Sequence, residues 1–312
     1  ENVVADGDEL KAAIDGHVSL VAGRVSVSPI LAIDGDVNYA TGNIDYDGTV
    51  SITGLIEDTF TVRAAGSIFV GKSIGKCRVV AGGNLVVVGG ILGRFEASIE
   101  TGGDLVALFI ENATVAVGGN LMVNEMILHS EATVGGDLSM DGTRAALVGG
   151  SITVQGGVTV KQIGGEGTSK THLRVGSPVA LLSGMNDLRN EVRNAEESLR
   201  KIDDTLRAAA HREDEPRSEH LAARIEELRA TRIQLESRIH SLRETLREAE
   251  KRLGEAPAAA AVRVLEVAMP GTRIEIGGAT TLLSAPVKYA TFRRHGDEIK
   301  VGPYAGKTTS KR

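Results

Sequence analysis

The stretch AVGGNLMV, Ala116 to Val123, decides the fold, because the chain writes this phrase repeatedly. Two glycines, a small polar residue, an apolar residue, a spacer and a second apolar residue recur as AGGNLVVV (Ala81 to Val88), TGGDLVAL (Thr101 to Leu108), VGGDLSM (Val134 to Met140) and VGGSITV (Val148 to Val154). Looser copies are AAGSIFV (Ala64 to Val70) and ATGNIDY (Ala40 to Tyr46). With the second glycine as marker, Gly66, Gly83, Gly103, Gly119, Gly136 and Gly150 are separated by 17, 20, 16, 17 and 14 residues. A short, near-regular period signals units that stack one on the next. Within each unit the apolar residues alternate, as in Leu121 and Val123, which is the period of a strand. The glycines are expected to form corners by adopting positive φ, which L side chains resist. One ladder of Leu85, Leu105, Leu121, Leu138 and Ile152 is expected inside, and the whole reads as a β-solenoid from about Val37 to Val175.

Composition agrees with a narrow aliphatic interior. Of 312 residues 38 are Gly, none is Trp, 3% are aromatic and 42% are hydrophobic. A single Cys, Cys77, excludes an internal disulfide framework and a Cys-based zinc site. A reducing compartment, the cytoplasm, follows as the simpler expectation. No stretch approaches the roughly 18 to 20 apolar residues of a membrane span, so no membrane insertion is expected. Residues 1–178 carry 11 basic against 20 acidic side chains, and the C-terminal residues 254–312 carry 9 against 5. An acidic solenoid poor in aromatics is a poor nucleic-acid surface. The Arg293-Arg294-His295 cluster and the basic tail from Lys307 read as solvated.

The organisation expected is an N-terminal strand region or cap over residues 1–36, a β-helix over 37–178, a helical insertion over 179–256, and returning strands over 257–312 that close the stack. After Pro178 the period changes. Met185, Leu188, Val192, Ala195, Leu199, Ile202, Leu206 and Ala209 alternate steps of three and four, and Leu221, Ile225, Leu228, Arg232, Leu235, Ile239, Leu242, Leu246, Ala249 and Leu253 repeat the pattern. Sustained spacing of this kind with charged flanks predicts an antiparallel coiled-coil hairpin. The breaker DEPRS with Pro216 separates the helices, Ser218 caps the second, and Gly254 with Pro257 ends it. The expected register sets Leu199 against Leu228, Val192 against Leu235 and Leu188 against Ile239. It also places Arg232, the one charged seam residue, opposite Ala195, with Glu191, Glu196 and Glu236 as candidate partners. Such an arm serves either as a spacer or as a surface for a protein partner.

The run GDVNYATGNIDYDGTVSITGLI, Gly35 to Ile56, resembles the characteristic stretch of the bacterial flagellar assembly protein A family. Similar too are GGILGRFEASIETGGDL (Gly89 to Leu105), FIENATVAVGGNL (Phe109 to Leu121), ILHSEATVGGDL (Ile127 to Leu138) and MPGTRIEIG (Met269 to Gly277). The resemblance implies a right-handed β-helix with a coiled-coil arm, a cytoplasmic location with recruitment to a cell pole, and a role in polar flagella or motility. It supplies no catalytic residues.

Chemical motifs are incomplete. In IGGEGTSKT, Ile163 to Thr171, Ser169 stands where a phosphate loop needs Gly. The GGD and GGN phrases lack the calcium-binding spacing, so Asn84, Asp104, Asn120 and Asp137 are expected to bond local backbone. Asp45, Asp47, Glu57 and Asp58 are the densest acids, with no base nearby in sequence to complete a glycosidase site. Cys77, between Lys76 and Arg78, reads as a core or rim residue, and His129 as a turn residue. No cofactor or metal is expected. Three readings compete: a non-enzymatic scaffold with a protein partner, a self-assembling β-helix such as bactofilins or a septum-site protein's β-helical domain, and a carbohydrate-active enzyme. Homo-oligomers belong to the second.

Overall fold

The computed structural model describes residues 1–312 except 8, 166, 168–169, 177–178, 211–218, 255–259 and 305–312. Pro178, the DEPRS breaker with Pro216 and Ser218, Pro257, the basic tail and Ser169 therefore lie outside the described residues. The chain forms two compact units, Glu1–Val179 with Pro257–Arg312, and Ala180–Ala256.

The first unit is a β-solenoid of about eight turns. Each turn has three faces, and the period of two within each strand sends alternate side chains inward. Face A is built from strands such as Ile30–Ile33, Thr49–Ile52, Ile68–Val70, Leu85–Val87 and Leu138–Met140, all parallel in register. Its inner ladder runs Val50, Ile68, Leu85, Leu105, Leu121, Leu138, Val158, Val262. Face B is narrow and carries a ladder of Ile56, Ile74, Ile91, Ile110, Ile127, Leu147 and Ile163. Face C carries Ile44, Val62, Val79, Ile99, Val115, Ala132, Ile152, Leu173 and Ile274. These three ladders are one continuous core. Leu121 is fully buried, so truncating it to Ala leaves a void that costs about 2–5 kcal/mol.

The ladder expected from the sequence needs one correction. Leu85, Leu105, Leu121 and Leu138 do stack, but the next rung is Val158, and Ile152 belongs to face C. The glycine phrase occurs at two different corners, so VGGSITV precedes a face C strand while VGGDLSM precedes a face A strand. The short last spacing of 14 marks this change of corner.

At the C-terminal end, Ala261–Ala268 stacks in parallel on Val158–Ile163, and Arg273–Ile276 on Thr171–Val175. The chain then turns antiparallel: Val287–His295 pairs with Ala261–Ala268, and Ala279–Leu282 with Arg273–Ile276. Phe292, fully buried, lies beside Val262 at the end of the face A ladder. An open stack exposes unpaired edge groups, and these antiparallel strands cover that edge. Two antiparallel hairpins, Val3–Asp6 with Glu9–Ala12 and His17–Val21 with Arg24–Ser28, precede the first rung.

The second unit contains α1, Val179–Ala210, and α2, Glu219–Gly254. Where described, the positions spaced by three and four are the less exposed ones on both helices, with Met185, Ala195, Ile225, Ile239 and Ala249 buried. Interhelix ion pairs tie the helices side by side.

Candidate functional site

Five of the six marker glycines sit at the corner before face A, and their reason for being glycine differs from the one expected. Of the six markers only Gly150 has positive φ. The other five form a backbone stack in which Gly83 N–H donates to the Gly66 carbonyl, Gly103 to Gly83, Gly119 to Gly103 and Gly136 to Gly119, at 2.8–2.9 Å. Gly156, not Gly150, continues the stack onto Gly136 at 2.9 Å. A Cβ on Gly119 would lie 2.3 Å from Asp104 Oδ1, and one on Gly136 2.4 Å from Asn120 Oδ1. Close approach of successive coils excludes side chains here.

The polar residue after each glycine pair bonds the next coil rather than its own turn. Asn84 Oδ1 accepts the Asp104 N–H at 2.9 Å, Asp104 Oδ1 accepts that of Asn120 at 2.7 Å, Asn120 Oδ1 that of Asp137 at 2.9 Å, and Asp137 Oδ1 that of Gly157 at 2.7 Å. Each corner N–H thus finds an acceptor that the strand ladders do not provide. Asp and Asn alternate, so no two carboxylates occupy adjacent rungs.

Left-handed backbone appears instead at the corner between faces B and C. Thr59, Arg94, Phe95, Asn112 and His129 all have positive φ there. His129 is a corner residue whose Nδ1 would lie 2.3 Å from a Cβ on Gly149, itself at φ +69°. This turn aims Arg94 back across two coils at Asp58, with Nη1 and Oδ2 2.6 Å apart. Asp58 Oδ1 accepts the Lys76 N–H at 2.8 Å. Both carboxylate oxygens are engaged, so Asp58 serves as a structural acceptor. It lines a concavity of about 460 Å³ with Tyr39, Glu57 and Leu92; Asp45 and Asp47 are not part of it. Sequence proximity hid Arg94, since it lies 36 residues from Asp58. The buried Cys77 thiol is pushed up to about 12 by burial, and then by the Asp58 charge. Its basic neighbours in sequence do not make it reactive.

In the helix pair, Arg232 Nε meets Asp203 at 2.7 Å and its Nη2 meets Glu236 at 3.0 Å. Arg238 pairs with Glu191, and Arg243 pairs with Glu196 at 2.6 Å. The Arg232–Asp203 and Arg243–Glu196 contacts overturn the expected register. With Arg232 opposite Ala195, Arg243 would stand twelve residues, about 18 Å along the axis, from Glu196. A shift of one heptad brings Arg232 level with Ile202 and Asp203, Leu235 with Leu199, Ile239 with Ala195, and Ala249 with Met185. Small seam residues then meet large ones, and Ala195 and Ile239 are both buried.

The last full turns carry a charged group on the outside of face C. Glu275 Oε2 lies 3.3 Å from Arg174 Nε and 3.6 Å from His172 Nε2. Burial, then Arg174, holds the His172 imidazole below its ordinary pKa. Thr171, from the IGGEGTSKT stretch, accepts the Gly149 N–H at 2.8 Å and opens a strand, not the helix a phosphate loop needs. Among the described residues no group of three or more His, Cys, Asp or Glu is placed to hold a metal ion, and no helix is long and apolar enough to cross a membrane.

Residues 29–299 match the family model described as the Flagellar Assembly Protein A beta solenoid domain. No curated protein and no solved structure gives a match.

Proposed function

The chain belongs to the flagellar assembly protein A β-solenoid family, and on that premise we propose that it is a non-enzymatic scaffold of flagellar assembly or motility. The solenoid is its rigid body and the helix pair its recognition element for a protein partner. In this reading it works in the cytoplasm and is recruited to a cell pole. One observation carries the division of labour. Strands on either side of the insertion stack directly, Val160 beside Val264 and Val175 beside Ile276, so the coil continues without the helices. A separately compact unit that the stack does not require is maintained for another purpose, and binding is the one that fits a long polar helix surface. The test replaces residues 180–256 by a short Gly-Ser linker in a motile host lacking its own copy. Normal folding with lost motility is expected; full motility with the linker would sink the proposal.

A specific observation favours self-association as a second reading. Phe69, Val86, Val106 and Met122 form an outward apolar row on face A across four coils. Parallel sheets usually have both faces covered. Sedimentation equilibrium should show dimers that Phe69→Ser dissociates; a monomer at every concentration removes this reading.

A further inference from the structure

The C-terminal turns place cations around a second concavity. It measures about 740 Å³ and is lined by Lys170, Thr171, His172, Gly271, Arg273 and Thr280, with Leu282 forming an apolar wall. Register puts His172, Arg273 and Leu282 side by side on three neighbouring strands, with Arg174, Glu275 and Thr280 as the adjacent row. The carboxylate in this group, Glu275, is already engaged by Arg174, and His172 Nε2 stands 3.6 Å from it. Among the described residues neither Lys170 nor Arg273 has a carboxylate within ion-pair distance, whereas Lys72, Lys76, Arg78 and Arg94 of the same solenoid each have one. The described lining therefore presents an ammonium, a guanidinium and the Thr280 hydroxyl with no acid among them.

We propose that this concavity binds a phosphate group. Arg273 offers a planar fork that matches two phosphate oxygens, and Lys170, just before the neighbouring strand, adds a point charge. Thr280 donates from the third strand, and Leu282 accommodates the apolar part of the molecule that carries the phosphate. That molecule is either a small phosphorylated metabolite or a phospholipid headgroup at a membrane surface; the phosphate chemistry is the same. This site is independent of the helix pair and goes beyond the scaffold role.

Isothermal titration of the full chain with inorganic phosphate and with pyrophosphate tests the soluble source. Flotation with phosphatidylcholine vesicles containing phosphatidic acid tests the headgroup source. Saturable binding in either arm is expected, weakened at least tenfold by Lys170→Gln with Arg273→Gln. Arg63→Gln, which removes one positive charge in an early coil of face C, should leave binding within twofold. All three positions are exposed, so the variants should keep the wild-type melting temperature. Absence of saturable binding in both arms, or equal binding by the double variant, overturns the proposal. Binding by vesicles alone that the double variant loses assigns the headgroup source.

Discussion

Gly119 shows how much one missing Cβ decides. Its φ is ordinary, so strain does not select glycine; the Asp104 carboxylate 2.3 Å from the absent Cβ and the Gly103 backbone at 2.9 Å do. Gly119→Ala should cost about 1–3 kcal/mol as overpacking between two coils, seen as a lower Tm; an unchanged Tm would mean that the coils can separate freely. Asn120→Asp would put carboxylates on three successive rungs, roughly 4.8 Å apart. It also replaces the Nδ2 donor that meets Asp104 at 3.2 Å. The variant should lose on the order of 1 kcal/mol at neutral pH, and the deficit should shrink as acid protonates the row. Denaturant titration across pH checks this. His172 gives the opposite sign. Its pKa is held below 6.5 in the folded chain, so the unfolded chain binds the proton more readily, and stability falls as pH drops through 6.5 toward the folded value. His172→Gln should remove that part of the acid sensitivity, and identical pH–Tm curves for variant and wild type would refute it.

The helix pair is where an element's sequence underdetermines its own geometry. Heptad periodicity makes every seven-residue slip equivalent in pattern, because an apolar position still faces an apolar position. What separates the registers is volume, small against large, and the flanking charges Glu196 and Asp203 against Arg243 and Arg232. Each such pair is half-exposed and worth about 0–1 kcal/mol, but a slip loses the Arg232 and Arg243 pairs together while leaving Glu191 near Arg238. Cysteines at Leu199 and Leu235 should therefore cross-link efficiently, and those at Leu199 and Leu228 should not; the reverse yield would restore the slipped register. Arg232 bears on register through Asp203 on the other helix rather than by covering Ala195, and Glu236 holds its guanidinium from the same helix.

At the scale of the molecule, the stack and the helix pair are separate compact units. Parallel pairing of Val158–Ile163 with Ala261–Ala268 closes over the insertion, and the buried ladders on both sides are continuous. The linker variant lacking residues 180–256 should melt within a few degrees of the parent, because the core loses no rung. Calorimetry checks this, and a collapse of the transition would show that the helices are part of the solenoid's stability.

The sequence by itself determined the class of fold. Period-two alternation after each glycine pair admits only short strands, and their regular recurrence admits only a stack. The change to heptad spacing marked the helices with equal clarity, since both signals are local. Tertiary structure alone decided which corner each glycine occupies, because VGGSITV and VGGDLSM are alike in composition but precede different faces. It decided that Asn and Asp serve the next coil, that Arg94 reaches Asp58, and that Lys170 gathers with Arg273. It also decided the helix register. The physical reason is common to all of them. A repeated pattern fixes what each unit is, whereas the contacts between units depend on how many residues each turn consumes, and that number varies from coil to coil.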